Sequence, residues 1–452
     1  MIFKNKNITL MGLGLLGGGV EDALFFIKHG AKLTITDLRE EVELRPSIEK
    51  INKTLKTSGV PVKWVLGKHR TKDFIDADMI LKNPGVPNNS KYLEIARKNN
   101  IPIYSSAEIL FEIADTNKLI GVTGTKGKSS TTGVIYEILK IKDPNAYIAG
   151  MPGVSLLKYA DKATRNWGVV ELSSWQLENI NSSKKSPHIA IITNIEEDHL
   201  NRHGSMEKYT EAKKNIFKFQ TTSDFLILPK TLKNIGKDTP SQVIISSPAD
   251  VENKYSQITH RENISMALKV SKILGIDKKQ ALEKIKNFKG LPGRLELIAK
   301  IQNIKIYNDT TATNPFATLR SVENFKGEKV ALISGGEDKD LDYKKFGTKI
   351  KNLHFVVLLP GTASDKIESE ISKQKIPMSP SATEIPAKGL GTWNKNFQKV
   401  ENLEKALKAC MDSNPEIVLF SPAAASFNMF KNEFERGEKF VQEVKKYAKK
   451  KK

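Results

Sequence analysis

Residues 121–132 read Gly-Val-Thr-Gly-Thr-Lys-Gly-Lys-Ser-Ser-Thr-Thr, a glycine-rich loop ending in Gly127-Lys128-Ser129. An apolar run, Leu119-Ile120-Gly121-Val122, leads into it, and a helical pattern of Val134, Ile135, Ile138 and Leu139 follows. A strand, a tight loop and a helix in that order make a phosphate cradle: glycines let backbone N–H groups close on an anion, the lysine reaches the terminal phosphates, and the Ser129 hydroxyl can hold Mg²⁺. The spacing departs from GxxxxGK[ST], because Val122 stands where the first glycine belongs and Gly121 and Gly124 flank it. A plain glycine turn entering a helix leaves the placement of Lys128 and Ser129 unexplained. The loop predicts an α/β protein that binds a nucleoside triphosphate.

A chain of 452 residues, 39% of them hydrophobic, has room for several domains. Its formal charge of +21 raises the question of nucleic acid. The lysines are dispersed, and no aromatics alternate with them as a stacking surface requires, so no nucleic-acid partner is expected. No apolar run has the length of a membrane span, and Met1-Ile-Phe-Lys-Asn-Lys leads straight to a strand-like Ile8-Thr-Leu-Met11. Neither signal peptide nor anchor is visible. With one cysteine, Cys410, in a helical stretch, no internal disulfide can form. These features predict a cytoplasmic protein with a packed, inert thiol.

Three segments follow one another. The first, residues 1–116, alternates strand-like and helix-like stretches. In it Gly12, Gly14 and Gly17 fit GxGxxG, and Asp37 lies about twenty residues on. That pattern fits either a phosphate docked at a helix start or a tight turn packing helix on sheet. The second segment, 117–290, holds the phosphate loop and two buried-type runs, Gly168-Val-Val-Glu171 and Ile189-Ala-Ile-Ile192, each with a polar tail. Ligands in open α/β sheets sit at the carboxyl ends of strands, so Glu171 and His199 are candidate Mg²⁺ ligands. The third segment, 291–452, carries further parallel-type strands at Lys305–Asp309, Lys329–Gly336, His354–Leu359 and Glu416–Ser421, with a loop-rich stretch from Pro377 to Trp393. Lys445 to Lys452 looks like a frayed helix end.

Several long motifs are familiar. Thr123-Gly-Thr-Lys-Gly-Lys-Ser129 resembles TGTNGKS, and Glu171-Leu-Ser-Ser-Trp-Gln-Leu-Glu178 resembles ELSSFQLE. Asn194-Ile-Glu-Glu-Asp-His-Leu-Asn-Arg-His-Gly-Ser-Met206 is similar to NITxDHLDRHGSM. Gly290-Leu-Pro-Gly-Arg-Leu-Glu296, Asn308-Asp-Thr-Thr-Ala-Thr-Asn314 and Ser421-Pro-Ala-Ala-Ala-Ser-Phe-Asn-Met-Phe-Lys-Asn432 resemble GLPHRLE, NDSKATN and SPAxASFDxFKN. In this order they resemble the Mur ligase superfamily, ATP-dependent amide-bond ligases of peptidoglycan assembly, and within it the branch adding D-glutamate to UDP-N-acetylmuramoyl-L-alanine.

The resemblance implies a Rossmann-like N-terminal domain for the UDP-sugar, a central P-loop ATPase domain and a Rossmann-like C-terminal domain for the amino acid. The Gly12–Gly17 loop with Leu15 then faces uridine and diphosphate, Asp37 and Arg39 lie near uracil, and Asn83-Pro-Gly85 near the diphosphate. Gly124, Thr125, Lys126, Gly127, Lys128, Ser129 and Ser130 surround the ATP phosphates, and Asn263 contacts adenine. Ser129, Glu171, His199 and Lys213 serve two Mg²⁺ ions, Lys213 as a carbamate formed with CO₂. Lys128, Glu171, His199 and Lys213 are the catalytic set. Arg294 and Asp309 meet ATP as the third domain closes, and Thr313, Lys339 and Ser426 contact glutamate. A monomer without membrane attachment is implied.

Four positions depart from the family pattern. Thr311 stands for a lysine, Glu433 for an aromatic, and Met151 and Met266 for asparagines. Three alternatives follow: a sister ligase adding L-glutamate or another amino acid, a folylpolyglutamate-type synthetase, and a non-catalytic nucleotide- or nucleic-acid-binding protein. The presence of a UDP-binding segment disfavours the second, and the intact Lys128, Glu171, His199 and Lys213 disfavour the third.

Overall fold

The computed structural model describes residues 3–372 and 397–450, apart from residues 16, 179, 181, 182, 289 and 428. The stretch from Pro377 to Trp393 lies outside the described residues. The described chain forms three sheets in succession. The first is β1 (Asn7–Met11), β2 (Lys32–Thr36), β3 (Val62–Val65), β4 (Met79–Lys82) and β5 (Ile103–Tyr104), in the order β3-β2-β1-β4-β5. All its pairings are parallel. Both faces are covered: Ile8 and Leu10 enter one core with Ala23 and Phe26, while Met11 and Ile80 enter another with Phe74 and Leu93. This explains why β4 reads Met-Ile-Leu-Lys with no polar alternation.

The second sheet contains β6 (Leu119–Thr123), β7 (Tyr147–Ala149), β8 (Gly168–Glu171), β9 (Ile189–Ile192), β10 (Phe225–Pro229) and β11 (Gln242–Ser246), in the order β11-β10-β9-β6-β8-β7. It is parallel throughout. The chain leaves β6 toward β7 on one side and returns to β9 on the other. The loop after β6 therefore opens at the point where the strand order reverses, the place such sheets bind ligands.

The third sheet holds β12 (Glu296–Ile301), β13 (Ile304–Asn308), β14 (Val330–Gly335), β15 (Phe355–Leu359), β16 (Phe397–Lys399) and β17 (Ile417–Phe420), in the order β12-β13-β17-β14-β15-β16. Its pairings are parallel except at one edge, where β12 runs antiparallel to β13. The four strands expected from the sequence are parallel to one another, and β12 is an additional edge strand that the sequence reading did not name. A two-residue turn at Gln302, with φ 54°, closes a hairpin too short for any crossover. The described lysines from Lys445 to Lys450 form the last turns of one helix, Glu433–Lys450. Cys410 is fully buried among Leu407, Val418 and Phe440, and burial pushes its thiol pKa far up, which leaves it inert.

The chain divides into two compact units, Met1–Val251 with Glu262–Ile285, and Glu252–Arg261 with Lys286–Lys452. The first two sheets share the first unit. They are joined by Lys28 to Asp161 and by a buried hydrogen bond from Ser155 Oγ to Asp22.

Candidate active site

The phosphate loop begins at the last residue of β6 and ends at Gly127, which caps the helix Lys128–Lys142 with φ 83°. Gly124 sits at φ 148°, and a Cβ there would meet Thr193 Oγ1 at 1.9 Å, so no other residue fits without moving β9's end. That close approach seals the loop. Thr193 Oγ1 donates to Lys126 O at 2.6 Å, Asn194 Nδ2 to the same oxygen at 2.9 Å, and Lys126 N donates to Asn194 Oδ1 at 2.8 Å. Thr125 N donates to Asn194 O at 3.0 Å. The carboxyl end of β9 thus holds the loop open in one shape.

Lys128 Nζ donates to the carbonyls of Gly124 and Thr125, both at 3.1 Å, so its charge lies across the cradle. Lys126 reaches Asp198 at 3.4 Å. Ser129 is buried at the helix start with Ser130 beside it. Asn263, on the helix Arg261–Ile273, accepts from Thr131 Oγ1 at 3.2 Å and lies against Gly127. Met266 is wholly buried in the same helix, so its departure from asparagine is a packing change.

Glu171 ends β8 and is 7% exposed, and its Oε2 is buried with no hydrogen-bond partner among the described residues. A buried carboxylate oxygen without a donor is costly unless a cation completes it. His199 adopts φ 54° at the start of the helix Leu200–His203. Desolvation first, and then Lys128, Lys126 and Lys213, hold its pKa below the ordinary value against the pull of Asp198. Its imidazole is therefore neutral and able to donate a lone pair. Burial works to raise the Asp198 pKa, but Lys126 and the His199 backbone N–H draw it below the ordinary value and keep the carboxylate ionised.

Lys213 lies on the helix Met206–Lys214 and is 1% exposed. Its Nζ donates to Gly124 O at 2.9 Å and lies 4.5 Å from the Tyr209 ring centroid. Desolvation first and Lys128 second pull its pKa down to about 6. No group of three or more His, Cys, Asp or Glu among the described residues could hold a metal alone. Mg²⁺ characteristically takes one or two protein ligands and fills the rest with phosphate oxygens and water, and the Glu171 Oε2 orphan, on a carboxylate whose charge is felt by Lys213, fits that habit. Tyr209 and Thr193 escaped the sequence reading. The signal for Tyr209 was its i, i+4 spacing to Lys213 on one helical face; Thr193 carried none.

In the first sheet, the loop Gly12–Gly14 packs on Asn83, whose Oδ1 accepts from Gly85 N at 3.0 Å. Asp37 is buried and spends its oxygens locally. Oδ2 accepts from Leu13 N and Gly14 N at 2.9 and 3.1 Å, and Oδ1 from Arg39 N at 3.0 Å. It acts as a brace for the loop, while Leu15 and the Arg39 side chain remain exposed. Gly12–Gly14, Asp37 and Asn83 meet at the carboxyl ends of β1, β2 and β4, where that strand order also reverses.

In the second unit Asp309 is similarly committed. Its Oδ1 accepts from Leu295 N at 3.1 Å, and Oδ2 from Ser321 and Ser421 hydroxyls at 2.6 and 2.8 Å. Desolvation raises its pKa to about 6 against these bonds. Its visible part is to pin Leu295, and with it the neighbouring Arg294. Lys339 Nζ reaches Thr313 Oγ1 at 3.2 Å, and Ser426 is buried beside the exposed Phe427. Thr311 gives both its N–H and its hydroxyl to Gly293 O, at 3.1 and 3.0 Å, so it clasps the two motif loops instead of projecting a cation. Glu433 opens the last helix, and Phe434 lines a cavity of about 360 Å³ with Gly293, Glu296 and Thr310.

A nucleotide cradle set in a parallel sheet, with a neutral imidazole and a carboxylate oxygen that lacks a donor, and a Rossmann-like sheet on either side in sequence, is the arrangement of an ATP-dependent ligase that forms amide bonds. Residues 122–297 match the Mur ligase middle domain, and residues 6–105 the Mur ligase MurD-like N-terminal domain. The chain is 36% identical to the UDP-N-acetylmuramoylalanine–D-glutamate ligase of Borreliella afzelii (strain PKo), with 97% of each chain covered. It is 32% identical to the ligase of that name from Roseiflexus sp. (strain RS-1), covering 97% of this chain and 98% of that one. Among solved structures, the UDP-N-acetylmuramate-alanine ligase of Thermotoga maritima shares the fold with a TM-score of 0.58 at 19% identity, over 98% of this chain and 100% of that one. The MurF ligase of Thermotoga maritima in complex with ADP gives 0.56 at 14% identity, over 93% and 96%. The chain belongs to the Mur ligase family and works in peptidoglycan precursor synthesis.

Proposed function

We propose that this chain joins D-glutamate to the alanyl carboxylate of UDP-N-acetylmuramoyl-L-alanine. The alanyl carboxylate oxygen attacks the γ-phosphorus of ATP and ADP leaves. The glutamate amine then attacks the acyl phosphate carbonyl, and the tetrahedral adduct expels phosphate. The observation that carries this is the meeting of Lys128, Glu171, His199 and Lys213 around one phosphate loop.

Lys128 neutralises charge on the transferring phosphoryl group, while the N–H groups of Gly124 to Ser130 orient it. Glu171, His199 and Ser129 would hold Mg²⁺, which supplies charge neutralisation between the phosphates when bound. Lys213, as a neutral amine, adds CO₂ and releases a proton, and the resulting carbamate supplies the negative charge the metal position needs. The Gly12–Asn83 crevice takes the diphosphate, with Leu15 and Arg39 at the uridine. Lys339, Thr313 and Ser426 take the glutamate carboxylates. Domain limits near residues 116 and 290, a monomeric state and a cytoplasmic location complete the proposal; no described helix is long and apolar enough to cross a membrane.

Phosphate release from Mg-ATP with UDP-N-acetylmuramoyl-L-alanine, offered D- and L-glutamate separately, tests it. Release with D-glutamate alone is expected. Thr311 and Glu433 favour a second reading, a sister ligase with another amino acid, and release only with L-glutamate or a different amine would select it. Lys128→Ala should lose about 10²–10³ in kcat, and full activity in that variant would sink the ATP assignment.

A further inference from the structure

Glu178 closes the Glu171–Glu178 motif, yet the chemistry above has no use for it. Its Oε2 accepts from Arg202 Nη2 at 3.1 Å and from Asn88 Nδ2 at 3.2 Å, and its Oε1 lies 3.2 Å from His203 Nδ1. His203 Nε2 in turn meets Ser174 Oγ at 3.0 Å. One carboxylate therefore bolts the short helix that begins after His199 to the short helix that begins three residues after Glu171. The pair is sheltered, Arg202 being 14% and Glu178 17% exposed, so it is not an ordinary solvated surface ion pair. The Arg202 guanidinium also lies 4.6 Å over the Trp175 ring, whose next ring neighbour is His199 at 5.3 Å.

His199 stands in the left-handed region, a conformation a non-glycine residue keeps only when its surroundings over-determine it. The bonds that Glu178 makes to the two residues at the far end of that helical turn supply the constraint. Asn88 belongs to the loop after β4 that starts at Asn83, at the crevice assigned to the diphosphate. Behind that loop Lys82, almost wholly buried, donates to Val86 O at 3.2 Å and feels both Glu178 and Arg202. The sugar-nucleotide loop and the His199 turn thus share one anion.

We infer that Glu178 is a positioning residue that sets His199 over the phosphate loop and couples it to the Asn83–Asn88 loop, so that the UDP-linked substrate and Mg-nucleotide favour each other's binding. The coupling half rests on the proposed function; the positioning half does not. Coupling is reciprocal by linkage, so it can be read from either ligand.

The test is titration calorimetry on the full chain. For the wild type, Mg-ADP should tighten binding of UDP-N-acetylmuramoyl-L-alanine about fivefold or more. Asn88→Ala, an exposed position that should not disturb folding, should abolish that gain while leaving Mg-ADP affinity alone unchanged. Glu178→Gln should abolish it too, and should weaken the Mg²⁺ dependence of ADP binding about tenfold, as loss of a group orienting a ligand does elsewhere. Glu178→Asp should recover part of both. Retention of the gain in both Asn88→Ala and Glu178→Gln, or a Glu178→Gln protein with lowered Tm and unaltered Mg²⁺ dependence, overturns the inference. Failure of the wild type to bind the UDP-linked substrate at all would overturn the functional reading and the coupling with it. The Mg²⁺ dependence of ADP binding in Glu178→Gln would still decide the positioning half.

Discussion

The side-chain nitrogen of Lys213 lies 2.9 Å from the carbonyl oxygen of Gly124, inside the shell of the phosphate loop and 4.5 Å from the Tyr209 ring centroid. With its pKa drawn down to about 6, the group is a neutral amine at pH 7.5. A neutral amine there can take up CO₂; an ammonium cannot. Phosphate release should fall at least about tenfold in CO₂-depleted buffer and return with bicarbonate, an effect of general-base or ligand size. Lys213→Arg, protonated at every working pH, should be inactive in both buffers. Equal wild-type rates with and without bicarbonate would rule the carbamate out.

Glu171 Oε2 is a buried carboxylate oxygen that lacks a donor among the described residues. Glu171→Gln keeps the volume and removes the charge. Its kcat should drop about a hundredfold, as for loss of one preorganised electrostatic group. The Mg²⁺ concentration for half-maximal ADP binding should rise in parallel. Calorimetry of ADP binding across a Mg²⁺ series checks this, and an unshifted midpoint would place the metal elsewhere.

Asp22 is buried against Ser155, and desolvation raises its pKa to about 7 despite that hydrogen bond. Unfolded, it titrates near the ordinary 3.8. Between these values the folded chain keeps a proton that the unfolded chain has released. Its contribution is therefore full below about pH 4 and is lost as pH rises through about 7, at up to ~1.4 kcal/mol per pH unit. Asp22→Asn should flatten this slope, so its Tm relative to wild type should rise from pH 5 to pH 8. Parallel Tm–pH curves for the two proteins would contradict it.

Arg436 is buried and spreads its fork over three acceptors in two motif loops: Thr310 Oγ1 at 3.1 Å, Thr310 O at 2.9 Å and Ala424 O at 3.1 Å. A lysine cannot span them. Arg436→Lys leaves at least one buried carbonyl without a donor, a cost of about 1–3 kcal/mol. The loops that carry Thr313 and Ser426 then lose their shared anchor, so KM for the amino acid should rise with KM for ATP unchanged. Denaturant unfolding and initial rates at varied glutamate measure the two effects.

Much was legible in advance because it is local. Buried parallel strands such as Ile189–Ile192 and Ile417–Phe420 read as unbroken apolar runs, since both faces of the sheets are covered. The run Gly124–Ser129 specified a phosphate loop, because glycine backbone freedom, a lysine and a hydroxyl at fixed offsets need no distant partner to be recognised. The edge strand β12 was missed. Its Glu-Leu-Ile-Ala-Lys-Ile sequence carries no mark of strand direction, which a two-residue turn decides.

From its sequence alone the chain was committed to α/β sheets, a nucleotide loop at the carboxyl end of β6, and the motif order of an amide-bond ligase. Tertiary structure decided the chemistry of individual groups. Asp37 and Asp309 each brace a loop locally, because backbone N–H groups and hydroxyls converge on them. Lys213 became a neutral amine because burial removed its water and Lys128 lies near. Glu178 acquired three partners up to 90 residues away. Propensity and periodicity act between neighbours along the chain, whereas desolvation and charge depend on neighbours in space.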